Sequence, residues 1–233
     1  MKKILIASTS TVYGSGYLEY ILPRLKVFFA SIDTLLFIPY ARPGGITHDA
    51  YTSTAAKVFQ KIGIKVVGIH QLENAQTAVK NAQAIFVGGG NTFVLVKELY
   101  NQGLLEVLKE QITKGTPYFG TSAGSNICGP TMQTTNDMPI VYPPGYATLG
   151  LIPFNINVHY VDPNPLSTHK GETRETRIKE FHCFNSVAVL GLREGSWLEV
   201  TGDNIFLKGT LTARLFRQNK APVELEPGII KVF

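Results

Sequence analysis

Over its first two-thirds the chain alternates short, unbroken apolar runs with longer segments of helical character, and that alternation leaves few folds open to it. The runs are KILIAS, TLLFIPY, KVVGIH, AIFVGGG and TPYFGTS; between them lie GYLEYILPRLKVFFAS, HDAYTSTAAKVFQKIG, NAQTAVKNAQ and TFVLVKELYNQGLLEVLKEQITKG. Strands that are apolar on both sides must be buried on both sides, so the pattern predicts an α/β fold: a mostly parallel sheet with helices on both faces. Pro23 either kinks the first helix or marks its true start. The last third changes character, because VAVLGL, SWLEVTG, NIFLKGT and TARLFRQ are separated by Gly, Asp and Asn turns and read as C-terminal antiparallel strands. A chain of 233 residues can bury one sizeable core, and one domain over 1–233 is expected.

Between these two styles runs a stretch from Thr134 to Arg177 that is rich in Pro, Asn, Asp and Gly and holds two histidines, two aspartates and two arginines. A long segment without periodicity is either a linker or a functional wall of loops, and the chemistry of its side chains favours the wall. In open α/β sheets ligands sit beyond the carboxyl ends of the strands, where this sequence places its glycine-rich turns.

Composition excludes several classes. Hydrophobic residues at 44% and charged residues at 17% are ordinary for a globular chain. No apolar run approaches the roughly 20 residues of a membrane span, and the opening MKKILIASTS lacks the features of a signal peptide, so a cytoplasmic protein without a membrane partner is expected. The formal charge of +5 is scattered, with no basic block, which argues against nucleic acid. Cys128 and Cys183 have no metal-ligand spacing and are expected to be buried thiols. No H-E-x-x-H or comparable cluster occurs, so neither a metal nor another cofactor is called for.

The strongest local signal is Gly120-Thr121-Ser122-Ala123-Gly124, a G-x-S-x-G pattern directly after the apolar run PYF. A serine on a strand-to-helix turn is presented as a nucleophile, although small residues at such turns can serve packing alone. The preceding run ends in FVGGGNT, whose exposed amides suit a developing oxyanion; Gly89 and Gly90, with Ala123 just after the serine, are the candidate donors. It is neither a P-loop nor a G-x-G-x-x-G turn. Serine needs a base, and among five histidines His159, which ends a β-like run inside the loop wall, is the first choice and His169 the second.

These segments resemble a known family. FVGGGNT, GTSAGSNI, TTNDMPI, VHYVDPN, GETRETRIKEF and LREGSWL are similar, in order and spacing over nearly the whole chain, to the peptidase E family of cytosolic α-aspartyl dipeptidases, whose relatives include the cyanophycinases. The resemblance implies a serine peptidase on a fold related to the class I glutamine amidotransferases, cleaving dipeptides that begin with aspartate. It places the nucleophile on Ser122 and the base on His159. For the third member it offers Asp137, with Glu194 as a rival; either carboxylate serves if it reaches the other imidazole nitrogen, and the choice stays open. Asp162 precedes Pro163 and is expected to cap a turn.

A site for N-terminal aspartate must hold a side-chain carboxylate. Arginine does so with two parallel hydrogen bonds, and Arg174 and Arg177, three apart on one predicted helix face, are the candidates; a solvated face of Glu–Arg pairs is the competing reading. The expected partner is thus a small dipeptide, and a homodimer is compatible with it. Two other functions stay open: an α/β-hydrolase-type esterase, disfavoured because no usable histidine follows LREGSWLEV, and a non-catalytic binding module for small carboxylates.

Overall fold

A computed structural model describes residues 1–168 and 170–231. In chain order its elements are β1 (Lys3–Ala7), α1 (Leu22–Phe28), β2 (Thr34–Ile38), α2 (His48–Gln60), β3 (Lys65–Gly68), α3 (Ala75–Lys80), β4 (Ile85–Val87), α4 (Thr92–Asn101), α5 (Leu104–Lys114), β5 (Tyr118–Thr121) and α6 (Ala123–Asn126). There follow β6 (Asn155–Val158), α7 (Arg174–Phe184), β7 (Val189–Leu192), β8 (Trp197–Thr201), β9 (Asn204–Lys208), β10 (Ala213–Phe216), β11 (Val223–Leu225) and β12 (Gly228–Ile229). The larger sheet has eight strands in the order β12-β9-β8-β1-β5-β4-β2-β3, and its members β1, β5, β4, β2 and β3 run parallel. A smaller sheet has the order β11-β10-β7-β6.

Residue alternation along the parallel strands explains the layering. Ile4, Ile6, Leu36, Ile38, Ile85 and Val87 face one way, against α3, α4 and α5 and the smaller sheet. Leu5, Ala7, Leu35, Phe37, Phe86 and Phe119 face the other way, against α1 and α2. On that second face Phe37, Phe86 and Phe119 are register partners on adjacent strands, with ring centroids 4.9 and 4.7 Å apart. Each such aromatic pair adds about 0.5–1.5 kcal/mol beyond its buried area. Among the described residues no helix is long and apolar enough to cross a membrane.

At four points the structure settles or corrects the sequence expectations. Pro23 lies in the first turn of α1, preceded by a single 3-10 turn at Glu19–Ile21, so it marks the helix start. The long helical segment from Thr92 to Lys114 is two helices, broken where Gly103 adopts φ 63°. The C-terminal strands pair antiparallel as expected but are shared between two sheets: β8 pairs with β1 and so extends the main sheet with β9 and β12, while β10 pairs with β7 and β11 in the smaller sheet, where β7 also lies parallel to β6. Cys128 is buried as expected, but Cys183 is exposed on α7, because that helix buries little beyond Ile178 and His182.

Candidate active site

The carboxyl ends of β1, β5 and β4 lie side by side, since Ala7 is the register partner of Thr121 and Val87 that of Gly120. Ser122 follows β5 directly and caps α6 with φ 53° and ψ −109°, a conformation that L side chains rarely adopt. Its amide donates to Ala7 O at 3.2 Å, and Ser125 Oγ on α6 donates to the same carbonyl at 2.6 Å. The turn can be this sharp only without side chains at its flanks. A Cβ on Gly120 would lie 2.4 Å from Gly124 O, and one on Gly124 would lie 2.2 Å from Val87 O. The two glycines of the motif therefore let β5, α6 and β4 approach closely.

His159 follows β6 and also sits at positive φ, 52°. Its Nε2 lies 2.9 Å from Ser122 Oγ, and its Nδ1 lies 2.6 Å from Glu194 Oε1. A carboxylate only accepts, so Nδ1 carries the hydrogen and the Nε2 lone pair faces the serine. Glu194 stands in the turn after β7, and the parallel pairing of β6 with β7, with Val158 opposite Leu192, brings both side chains to one end of the smaller sheet. Sequence separations of 37 and 35 residues are thus closed by strand pairing and by the packing of the two sheets.

The other predicted residues fall as follows. Asp137 is not beside His159: its Oδ2 accepts from the Thr92 amide at 2.7 Å and from Thr135 Oγ at 2.9 Å, so it satisfies the N-terminus of α4. In place of the parity expected between the two carboxylates, Glu194 alone reaches the imidazole. Gly89 does not present a free amide, because its N–H donates to Tyr51 Oη at 2.9 Å. Its contribution is a missing side chain, since a Cβ there would lie 2.9 Å from Ser122 Cβ. Gly90 and Ala123 keep amides without a protein acceptor among the hydrogen bonds of the described residues, as the first residue of a helix does. His169 lies outside the described residues.

Arg174 and Arg177 open α7, capped by Thr173, and both line a cavity of about 400 Å³. Arg177 Nε lies 3.5 Å from Glu172, whereas Arg174 forms no ion pair among the described residues. Burial, followed by the neighbouring Arg177, pulls the Arg174 guanidinium down from its ordinary value, and Asp137 counteracts part of this. The cavity also takes in Val161 and Asp162, two and three residues after His159, but neither Ser122 nor His159 is part of its wall. The arginine cavity therefore adjoins the loop after His159 and does not enclose the serine.

Two further residues tie the site together. Asp162 is not a simple turn cap: it receives two hydrogen bonds from Arg193, at 2.8 and 2.7 Å, and so ties the loop after His159 to the residue before Glu194. Ser8, fully buried at the end of β1, bonds to the backbone of both His159 and Leu192. Its only trace in the sequence is a small polar residue closing the apolar run KILIAS. Among the described residues no group of three or more His, Cys, Asp or Glu could hold a metal ion.

Comparison with known proteins agrees with the fold and with the order of these segments. Residues 4–208 match peptidase family S51. Peptidase E of Streptomyces coelicolor is 50% identical over 225 residues, covering 97% of this chain and 91% of that protein. A probable alpha-aspartyl dipeptidase of Drosophila melanogaster is 44% identical over 229 residues, covering 97% of this chain and 94% of that protein. The crystal structure of a putative peptidase E protein from Listeria monocytogenes, 24% identical, shares the fold with a TM-score of 0.68 over 90% of this chain and 98% of that chain. A family match spanning nearly all of the elements that carry the site, with full-length relatives at 44% and 50% identity, means that the chain belongs to peptidase family S51.

Proposed function

We propose that this chain is a cytoplasmic serine dipeptidase that cleaves the peptide bond after an N-terminal aspartate. The observation that carries the mechanism is the continuous hydrogen-bonded line Ser122–His159–Glu194, with spacings of 2.9 and 2.6 Å, built on a backbone turn held at positive φ. His159 Nε2 takes the proton of Ser122 Oγ as that oxygen attacks the scissile carbonyl. Glu194 holds the reactive tautomer and stabilises the imidazolium that forms. The carbonyl oxygen, now negative, is received by the amides of Gly90 and Ala123. His159 then gives its proton to the leaving amine, which departs as the second amino acid and leaves an aspartyl ester on Ser122. Water, activated by the same imidazole, attacks the ester, releases aspartate and restores the serine hydroxyl.

The aspartate side chain is assigned to Arg174, which has no ion pair among the described residues and lines the cavity formed with the loop after His159. The alpha-aspartyl dipeptidase name of the Drosophila relative supports that substrate. The partner implied is a dipeptide, with no part for nucleic acid or membrane. The test is hydrolysis of an Asp-X dipeptide and of Asp-p-nitroanilide by wild type and by Ser122→Ala, with labelling by a fluorophosphonate. Triad members act as a unit, so the alanine variant loses on the order of 10⁴-fold or more in kcat and its labelling. A folded Ser122→Ala protein that retains activity removes the serine mechanism.

A further inference from the structure

Ser8 lies where the two sheets meet, and three of its bonds go to backbone within two residues of the side chains that form the proposed triad. Its hydroxyl donates to Leu192 O at 2.7 Å and accepts from the His159 amide at 3.0 Å. Its own amide donates to Ser196 O at 3.1 Å. Leu192 and Ser196 stand two residues before and two residues after Glu194, so Ser8 grips both ends of the turn that carries the carboxylate. The residue before it completes the set, because Ala7 O accepts the amide of Ser122.

The consequences follow from backbone geometry. His159 at φ 52° has left the extended path of β6, and a non-glycine residue stays there only if its surroundings hold it. Its amide points at Ser8 Oγ rather than at a strand partner. A serine hydroxyl can donate and accept at once, which lets one buried atom join the β6 end, the β7 end and β1. Alanine at this buried position would take from the His159 amide its hydrogen-bond partner and leave the Leu192 carbonyl with the Tyr160 amide alone, so the β6 and β7 ends would lose their tie to β1. The 2.9 Å bond from Ser122 to His159 crosses from the main sheet to the smaller one, while the 2.6 Å bond from His159 to Glu194 stays within the smaller sheet, and displacements of about 1 Å can cost about 10²-fold in rate.

We propose that Ser8 is a positioning residue of the reaction: its side chain sets the distance between the Ser122 elbow on β5 and the His159–Glu194 pair on the smaller sheet. It does not touch substrate. The inference rests on the serine-peptidase reading above, and the experiment separates the two. Ser8→Ala, Ser8→Cys, Ser122→Ala, Glu194→Gln and the Ser8→Ala/Glu194→Gln double variant are assayed with an Asp-X dipeptide, and folding is followed by circular dichroism and thermal melting.

Ser8→Ala is expected to lower kcat about 10–100-fold while KM stays within about twofold, since the substrate cavity is untouched. Cysteine keeps the volume and bonds weakly, so Ser8→Cys falls in the same direction and carries the test if the alanine variant is unfolded. In the Glu194→Gln background the same Ser8 change should cost less than about threefold, because two residues that hold one imidazole are not independent. A folded Ser8 variant with wild-type kcat overturns the proposal, as does a loss that appears mainly in KM or one that multiplies unchanged onto Glu194→Gln. If instead Ser122→Ala is active, the serine mechanism fails and takes the Ser8 proposal with it.

Discussion

Replacing Glu194 by glutamine keeps the shape of the side chain and removes its charge, which makes it a direct probe of what the carboxylate does. In the native site Glu194 Oε1 sits 2.6 Å from His159 Nδ1. Glutamine can accept the same hydrogen with its oxygen, but it can also turn its amide and donate to Nδ1, which favours the tautomer that faces the serine with N–H. In serine enzymes with a buried carboxylate, the equivalent change costs about 10⁴-fold in kcat. Here the Glu194 side chain is 52% exposed and that of His159 34%, so water takes over part of the imidazolium stabilisation and the cost should be smaller. The expected loss is about 10²–10³-fold in kcat, or about 3–4 kcal/mol of transition-state stabilisation at about 1.4 kcal/mol per factor of ten. KM for an Asp-X dipeptide should change little, because Glu194 has no part in the arginine cavity. Asp137→Asn is the control: it weakens the charge at the N-terminus of α4, lowering the melting temperature by roughly 1–4 °C, with less than about tenfold effect on kcat. Steady-state release of p-nitroaniline from Asp-p-nitroanilide reads both variants. If Glu194→Gln retains more than a third of wild-type kcat while Asp137→Asn collapses it, the roles assigned to these carboxylates are reversed.

Two further expectations follow from charged groups around the site. Arg174→Ala should lower kcat/KM for Asp-X more than for Asn-X, because asparagine lacks the charge that a half-buried guanidinium selects, and the wild-type ranking should be Asp-X well above Glu-X and Asn-X; an unchanged Asp-X to Asn-X ratio would move the assignment to Arg177. Asp162 is held below its ordinary value chiefly by its hydrogen bonds from Arg193, and Glu224 is also depressed, since bonds from Arg193 and Thr212 outweigh the opposing effect of burial. Depressed carboxylates stabilise the fold above their unfolded values near pH 4 and lose that contribution as pH falls through the folded ones. Asp162→Asn should therefore melt roughly 1–4 °C below wild type at pH 7, a small gap because Asp162 is 48% exposed, and the gap should shrink as pH falls below the unfolded carboxylate value near 4 and the folded carboxyl takes up its proton. A gap that persists in acid would mean that the ion pair is not its cause.

Where reading the residues succeeded, the information was local. Five apolar runs without polar alternation could only be strands buried on both faces, and in the structure they are the five parallel strands of the main sheet. The G-x-S-x-G turn was equally legible, because glycine is needed wherever backbones approach this closely, whatever the rest of the chain does. The split of the Thr92–Lys114 segment was less so: a single glycine inside a helical pattern can be tolerated, whereas here Gly103 takes a left-handed conformation and starts a second helix.

The choice between Asp137 and Glu194 was beyond any local pattern. Both are carboxylates beside turns, and only the pairing of β6 with β7 determines which one arrives at His159. The same holds for Gly89, whose amide is claimed by Tyr51 from α2, 38 residues away, and for Ser8, whose partner His159 is 151 residues distant. Sequence by itself determined the parallel strands, the sharp glycine-flanked turn at Ser122 and the family to which the chain belongs. Tertiary structure decided which side chains share hydrogen bonds, because such bonds form within about 3 Å, a distance that sequence spacing does not encode once the chain has crossed between two sheets.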